Sequence, residues 1–159
     1  MKQTIPLIDN TRRDFLALLG AGGVTLLGSA LFPRRSFATV EETLKAIEGI
    51  TGGKAPTEEK VSLELPRIAE NGNTVPFTVS VDSPMTDSHH VKAIHILAEE
   101  NPKPEVATFH LTPKSGKAEV KARMRLAKTQ NVVAVAEMND GGMYLTRERI
   151  KVTIGGCGG

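Results

Sequence analysis

The only cysteine of the chain, Cys157, stands in the run Ile154-Gly155-Gly156-Cys157-Gly158-Gly159 with which the sequence ends. A lone thiol closes no internal disulfide, so it stays free, pairs with another molecule, or carries a group. Sulfur suits the last role because an S–S bond can be made and exchanged by thiolate attack. The four flanking glycines bring no side chain and the widest choice of backbone conformation. The expectation is therefore a thiol on a thin flexible arm in which nothing packs. At about 3.5 Å per residue, an extended Gly155-Gly156-Cys157 places sulfur on the order of 10 Å past the last regular residue. No acid, base or cation flanks Cys157 in sequence, so the tail alone activates nothing, and reactivity must come from a partner.

Two other sets of residues could do chemistry. His89, His90, His95 and His110, with Met85, Met138 and Met143, suggest an exported copper-binding β-sandwich. A blue-copper site needs two His, one Cys and usually a Met. His and Met are expected soon after the Cys in such a protein, and only glycines follow here. His90 and His95 are five apart, which on a regular strand sends them to opposite faces. Gly158-Gly159 could instead be a ubiquitin-like tail whose carboxylate becomes a thiocarboxylate. That chemistry requires ATP-dependent adenylation in the cytoplasm, and the N-terminal sequence argues for export.

Arg12-Arg13 followed by Phe15-Leu16, a Gly/Ala/Leu-rich run from Ala17 to Leu31, and Ser36-Phe37-Ala38 make a twin-arginine signal layout. The apolar run is glycine-broken and short of the roughly 20 residues that a membrane span needs. The expected organisation is a signal peptide over 1–38, one domain over 39–154, and the arm over 155–159. Beyond Ala38, 15 Lys/Arg face 16 Asp/Glu, so the small positive excess of the whole chain belongs to the leader. With only Phe77, Phe109 and Tyr144 as aromatics there, a nucleic-acid surface is excluded.

Thr39-Val40-Glu41-Glu42 reads as a capping box, with Val40, Leu44 and Ile47 at helical spacing and Gly49 and Gly52-Gly53 as the stop. Past Lys60 the period becomes 2. Strand-like runs are Val61 to Leu65, Val75 to Val81, His90 to Ala98, Val106 to Leu111, Val120 to Leu126, Val132 to Met138 and Glu148 to Ile154. Asn71-Gly72-Asn73 and Asp140-Gly141-Gly142 read as turns, and Pro76 places its strand at an edge or moves its start. Val132 to Met138, nearly all apolar, suits a central strand. The predicted class is all-β, an antiparallel β-sandwich with one short helix. Lys121, Arg123 and Arg125, and again Arg147, Arg149 and Lys151, form basic rows. Such rows are ordinarily solvated faces, and the second could steer the protein to acidic partner surfaces.

The GGCGG ending, with ITGGKAP at Ile50 to Pro56, NGNTVP at Asn71 to Pro76, VDSPM at Val81 to Met85, AVAEM at Ala134 to Met138 and the twin-arginine leader, resembles the SoxY family. These are sulfur-carrier subunits of the periplasmic thiosulfate-oxidising Sox system. The resemblance implies an immunoglobulin-like sandwich, a stable heterodimer with SoxZ, and Cys157 as the covalent attachment site, with Gly155, Gly156, Gly158 and Gly159 as the arm. It further implies a carrier and not an enzyme, without cofactor or metal of its own, in the periplasm after cleavage near Ala38. In such a system SoxAX conjugates thiosulfate to the cysteine, SoxB hydrolyses the terminal sulfonate, and SoxCD, where present, oxidises the remaining sulfane sulfur.

Overall fold

The computed structural model of the chain describes residues 40–156. The leader, the Thr39 cap, and Cys157, Gly158 and Gly159 lie outside the described residues. The first element is helix α1 (Val40–Thr51). Glu41 and Glu42 occupy its first turn, where the helix dipole favours negative charge. It ends at Gly52 and Gly53, whose φ values of 61° and 81° suit glycine. Gly49, read as part of the stop, is instead a helical residue. The packed face also differs from the Val40-Leu44-Ile47 stripe: Thr43, Ile47 and Thr51 are buried, while Val40 and Leu44 are each 51% exposed. The cause is the surface beneath. Ile47 packs with Leu97, Val133, Val135 and Leu145, flanked by Ala46 and Ile50.

Eight strands follow: β1 (Val61–Glu64), β2 (Ile68–Asn71), β3 (Val75–Val81), β4 (Val91–Ala98), β5 (Glu105–His110), β6 (Glu119–Met124), β7 (Gln130–Met138) and β8 (Met143–Ile154). They form a three-stranded sheet, β1-β3-β6, and a five-stranded sheet, β2-β8-β7-β4-β5. Val75, Phe77, Val79 and Val81 of β3 are all buried, as the period of 2 predicts, and join one core with Ile94, Ile96, Val132, Ala134, Ala136, Ile150 and Val152 of the larger sheet. β7 explains its own apolar run. Val132, Ala134, Ala136 and Met138 belong to this core, while Val133 and Val135 lie in the cluster with Ile47 of α1, so both faces are dry. The protein is thus the expected immunoglobulin-like two-sheet sandwich.

Three local expectations change. β2 is a strand the sequence did not announce: only Ala69 of its four residues is buried, and it pairs with β8 in parallel, whereas the other pairs of these strands are antiparallel. The turn Asn71-Gly72-Asn73 therefore joins strands of different sheets and closes no hairpin. β8 begins at Met143, five residues before the alternation becomes visible, with Ile150 and Val152 buried and Glu148 exposed. Pro76 lies in the middle strand of its sheet, but β1 pairs only with Thr78 to Val81, so the sheet at Pro76 has just β6 beside it. A missing N–H is tolerated where no ladder is complete on both sides.

Ile94 is fully buried between the sheets. Ile94→Ala is expected to lower the unfolding free energy by about 2–5 kcal/mol in denaturant titrations. Leu44→Gln on the exposed side of α1 should change it by no more than about 0.5 kcal/mol.

Candidate functional site

The residue before Cys157 is buried. β8 ends at Ile154, whose carbonyl accepts a hydrogen bond from the Gly72 N–H at 2.7 Å. Gly72 O in turn accepts from the Leu126 N–H at 2.8 Å, and Leu126 O accepts from the Gly156 N–H at 2.9 Å. Three backbone segments thereby close round the root of the tail. Their approach leaves no room for side chains. A Cβ on Gly72 would lie 2.3 Å from Leu126 O, one on Gly155 2.1 Å from Ala127 O, and one on Gly156 2.8 Å from Gly72 O. Gly49, Gly52, Gly53 and Gly116 have nothing within 4 Å of such a position. The expectation that nothing in the tail packs is corrected for Gly155 and Gly156: both are seated in the domain, and Gly156 is buried.

A polar side chain holds this seat from behind. Asn101, 1% exposed in the β4–β5 connection, accepts from the Ala127 N–H (2.9 Å) and from Gln130 Nε2 (2.9 Å), and donates from Nδ2 to Arg125 O (2.8 Å). Gln130, equally buried, accepts the Glu100 N–H at 2.7 Å and donates to Lys128 O at 3.1 Å. The 125–127 backbone is thus held by Asn101 on one side and meets Gly72, Gly155 and Gly156 on the other. In the sequence Asn101 opens an Asn-Pro-Lys-Pro stretch between two strand-like runs. A single Asn outside any periodic run carries no sequence signal of burial. Its role depends on contacts 24 to 29 residues away.

The second basic row is not uniform. Arg147 Nε lies 3.0 Å from Glu99 Oε1, and Glu99, 4% exposed, also accepts from Asn131 Nδ2 at 2.7 Å. Arg147 therefore neutralises a buried carboxylate, and the solvated-face reading fits only Arg149 and Lys151, which are exposed. In the first row, Lys121 pairs with Glu119 at 3.0 Å and the Arg123 guanidinium donates to Thr74 Oγ1 at 3.3 Å.

The histidines separate. His89 Nδ1 is 3.5 Å from Asp140 Oδ2, whose carboxyl is held below its ordinary value first by the Gly142 N–H. His90 Nδ1 lies 3.1 Å from Thr86 O, and His95 Nδ1 lies 3.0 Å from Thr108 Oγ1. Burial pushes the His95 imidazole below the usual histidine range, opposed by Glu137 and Glu105 and reinforced by His110 and Lys92. Among the described residues, no three His, Cys, Asp or Glu side chains converge as metal ligands.

This architecture defines a class: a β-sandwich that holds the root of a cysteine-bearing tail in its own backbone. The family described as Sulfur oxidation protein SoxY matches residues 47–157, a span that ends on the cysteine. The sulfur carrier protein SoxY from Chlorobium limicola f thiosulfatophilum is 34% identical, with a TM-score of 0.60 over 71% of this chain and 94% of that one. The chain belongs to the SoxY family. Superoxide reductases share the fold alone. That of Ignicoccus hospitalis is 21% identical (TM-score 0.53, 59% of this chain, 80% of that one), and that of Nanoarchaeum equitans 14% identical (TM-score 0.52, 60% and 100%). No curated protein matches significantly. Membership in this family does not favour the copper reading.

Two outcomes follow. A histidine whose folded-state affinity for a proton is lowered binds fewer protons folded than unfolded, so stability falls as pH drops through the ordinary histidine range near 6.5. His95→Gln should flatten the dependence of unfolding free energy on pH between about 7 and 5; a variant with the wild-type slope would contradict the assignment. Arg147→Ala should cost about 1–2 kcal/mol, less than a fully buried pair because the arginine is part-exposed, whereas Arg149→Ala should be near neutral in the same denaturant assay.

Proposed function

We propose that the chain is a covalent carrier of sulfur intermediates in thiosulfate oxidation, that Cys157 is the attachment site, and that the Cys157-Gly158-Gly159 segment presents the cargo to partner enzymes. The observation that carries this reading is the family match, which runs to Cys157, a lone cysteine directly after a glycine seated in the domain. Loading joins the Cys157 thiol to the outer sulfur of thiosulfate by a new S–S bond, releasing one proton and two electrons. Glycines on both sides offer no base or electron acceptor, so a haem partner of the SoxAX kind takes the electrons. Hydrolysis of the terminal S–S bond to the sulfonate group by a SoxB-type enzyme then consumes water, releases sulfate and leaves a persulfide on Cys157. A SoxCD-type enzyme, where present, oxidises that remaining sulfur. The chain itself binds, holds and presents, and performs no turnover.

The working unit in this reading is a heterodimer with SoxZ. The twin-arginine leader over 1–38 takes the protein to the periplasm with cleavage near Ala38, and transport of a folded cargo lets a partner without its own leader travel along. Arg149 and Lys151 remain the candidates for electrostatic steering.

The test is complementation of a thiosulfate-oxidising strain that lacks its own copy of the gene. The wild-type chain should restore release of sulfate from thiosulfate, and a stably exported Cys157→Ser chain should leave it at the background of the deletion. Restoration by the Ser variant would refute the attachment site.

A further inference from the structure

We infer that Asn101 and Gly72, both outside the tail, are positioning residues for Cys157: with the Leu126 and Ala127 carbonyls they form a backbone seat that fixes where the cysteine-bearing segment leaves the domain. The inference rests on the carrier reading for its functional consequence, although the seat itself stands on geometry alone.

Gly72 engages the tail twice, donating its N–H to Ile154 O at 2.7 Å and standing within 2.8 Å of where a Gly156 Cβ would be. It also anchors the opposite wall by accepting the Leu126 N–H. Asn101 fixes that wall from the far side. Its amide bonds the backbone at Arg125 and Ala127, the two residues flanking the Leu126 carbonyl that receives Gly156. Both Asn101 side-chain polar atoms are used and the residue is buried, so it has no competing water to bond. The two glycines before Cys157 are thus selected for close backbone approach, because only a residue without Cβ fits against Ala127 O and Gly72 O.

The consequence is a shorter leash. With Gly156 held, covalent geometry lets the Cys157 sulfur reach only about 6–7 Å from the Gly156 Cα, one residue plus one side chain. A freely extended Gly155-Gly156-Cys157 would have carried it about 10 Å past the sandwich. An enzyme that works on this sulfur must therefore close onto the end of the sandwich itself, at the Asn71-Gly72-Asn73 turn and the Leu126-Ala127 segment. The seat sets both the position of the cargo and the surface the enzyme meets.

Amide hydrogen exchange of the full domain reads the seat directly. The observable is the exchange rate of the Gly156 amide divided by that of the core amide of Val135. Asn101→Ala, which removes the side-chain bonds that hold the 125–127 backbone, and Gly72→Ala, whose Cβ is driven against Leu126 O and the Gly156 N–H, should each raise this ratio about tenfold. Leu44→Gln, on the exposed side of α1 and expected to leave stability nearly unchanged, should leave the ratio unchanged. Asn101→Asp keeps the shape and the acceptor for Ala127 while losing the donor to Arg125, so it serves if the other variants do not fold. In turnover with the partner enzymes, the same variants should raise KM for the carrier with kcat retained. An unchanged exchange ratio overturns the seat, and a raised ratio with unchanged KM overturns the positioning role. If Cys157 carried no sulfur, the exchange result would still stand and only the turnover would vanish, so the two failures are distinguishable.

Discussion

Burial of β7 on both faces is the constraint from which the rest of the structure follows. One face needs a second sheet, which β3 and β6 supply; the other needs a cover, which α1 supplies through Ile47. β8 lies beside β7 along its length, from Glu137 opposite Met143 to Gln130 opposite Ile150. Having passed that pairing, β8 continues to Ile154 with β2 as its remaining neighbour. The tail therefore leaves from the end of a strand paired along its length, where the β2–β3 and β6–β7 connections meet it.

At that end the protein uses backbone instead of side chains. Gly72, Leu126 and Gly156 exchange amide bonds in sequence, and the absence of Cβ atoms at Gly72, Gly155 and Gly156 permits the approach. Polar satisfaction behind the seat comes from Asn101 and Gln130, and farther along β7 from the Glu99, Asn131 and Arg147 group. Such networks are costly when half-satisfied, and here the amides of Asn101 and Gln130 are engaged at both their oxygen and nitrogen. A carrier needs its reactive sulfur outside and its scaffold unreactive. A neck of backbone bonds holds the root of the tail without using an acidic or basic side chain to do so.

Much of this was legible in sequence where a local period or turn chemistry reports directly on structure. The alternation in Val75 to Val81, the doubly buried run of β7, the Asp140-Gly141-Gly142 turn and the α1 stop at Gly52-Gly53 are of that kind. β2 escaped because Ile68 to Asn71 bury only Ala69 and exist as a strand through parallel pairing with residues more than 80 positions away. The orientation of α1 escaped for a similar reason: Thr43 and Thr51 are polar by type, yet they face the sheet while Val40 and Leu44 face outward. The GGCGG motif, with the other matching stretches, pointed to the family that the comparisons show, and it is the basis for proposing Cys157 as the attachment site. Its first two glycines read as free spacers because close backbone approach is a tertiary property, invisible until Gly72 and Ala127 are placed beside them.

The most direct test of the central claim is the mass of what Cys157 carries. Intact-mass spectrometry of the protein from cells grown on thiosulfate, before and after reduction, should show a sulfur-containing, reductant-labile adduct that maps to Cys157 and is absent from Cys157→Ala. A mass corresponding only to free thiol, or to a disulfide with another protein, under active thiosulfate oxidation would contradict the carrier role.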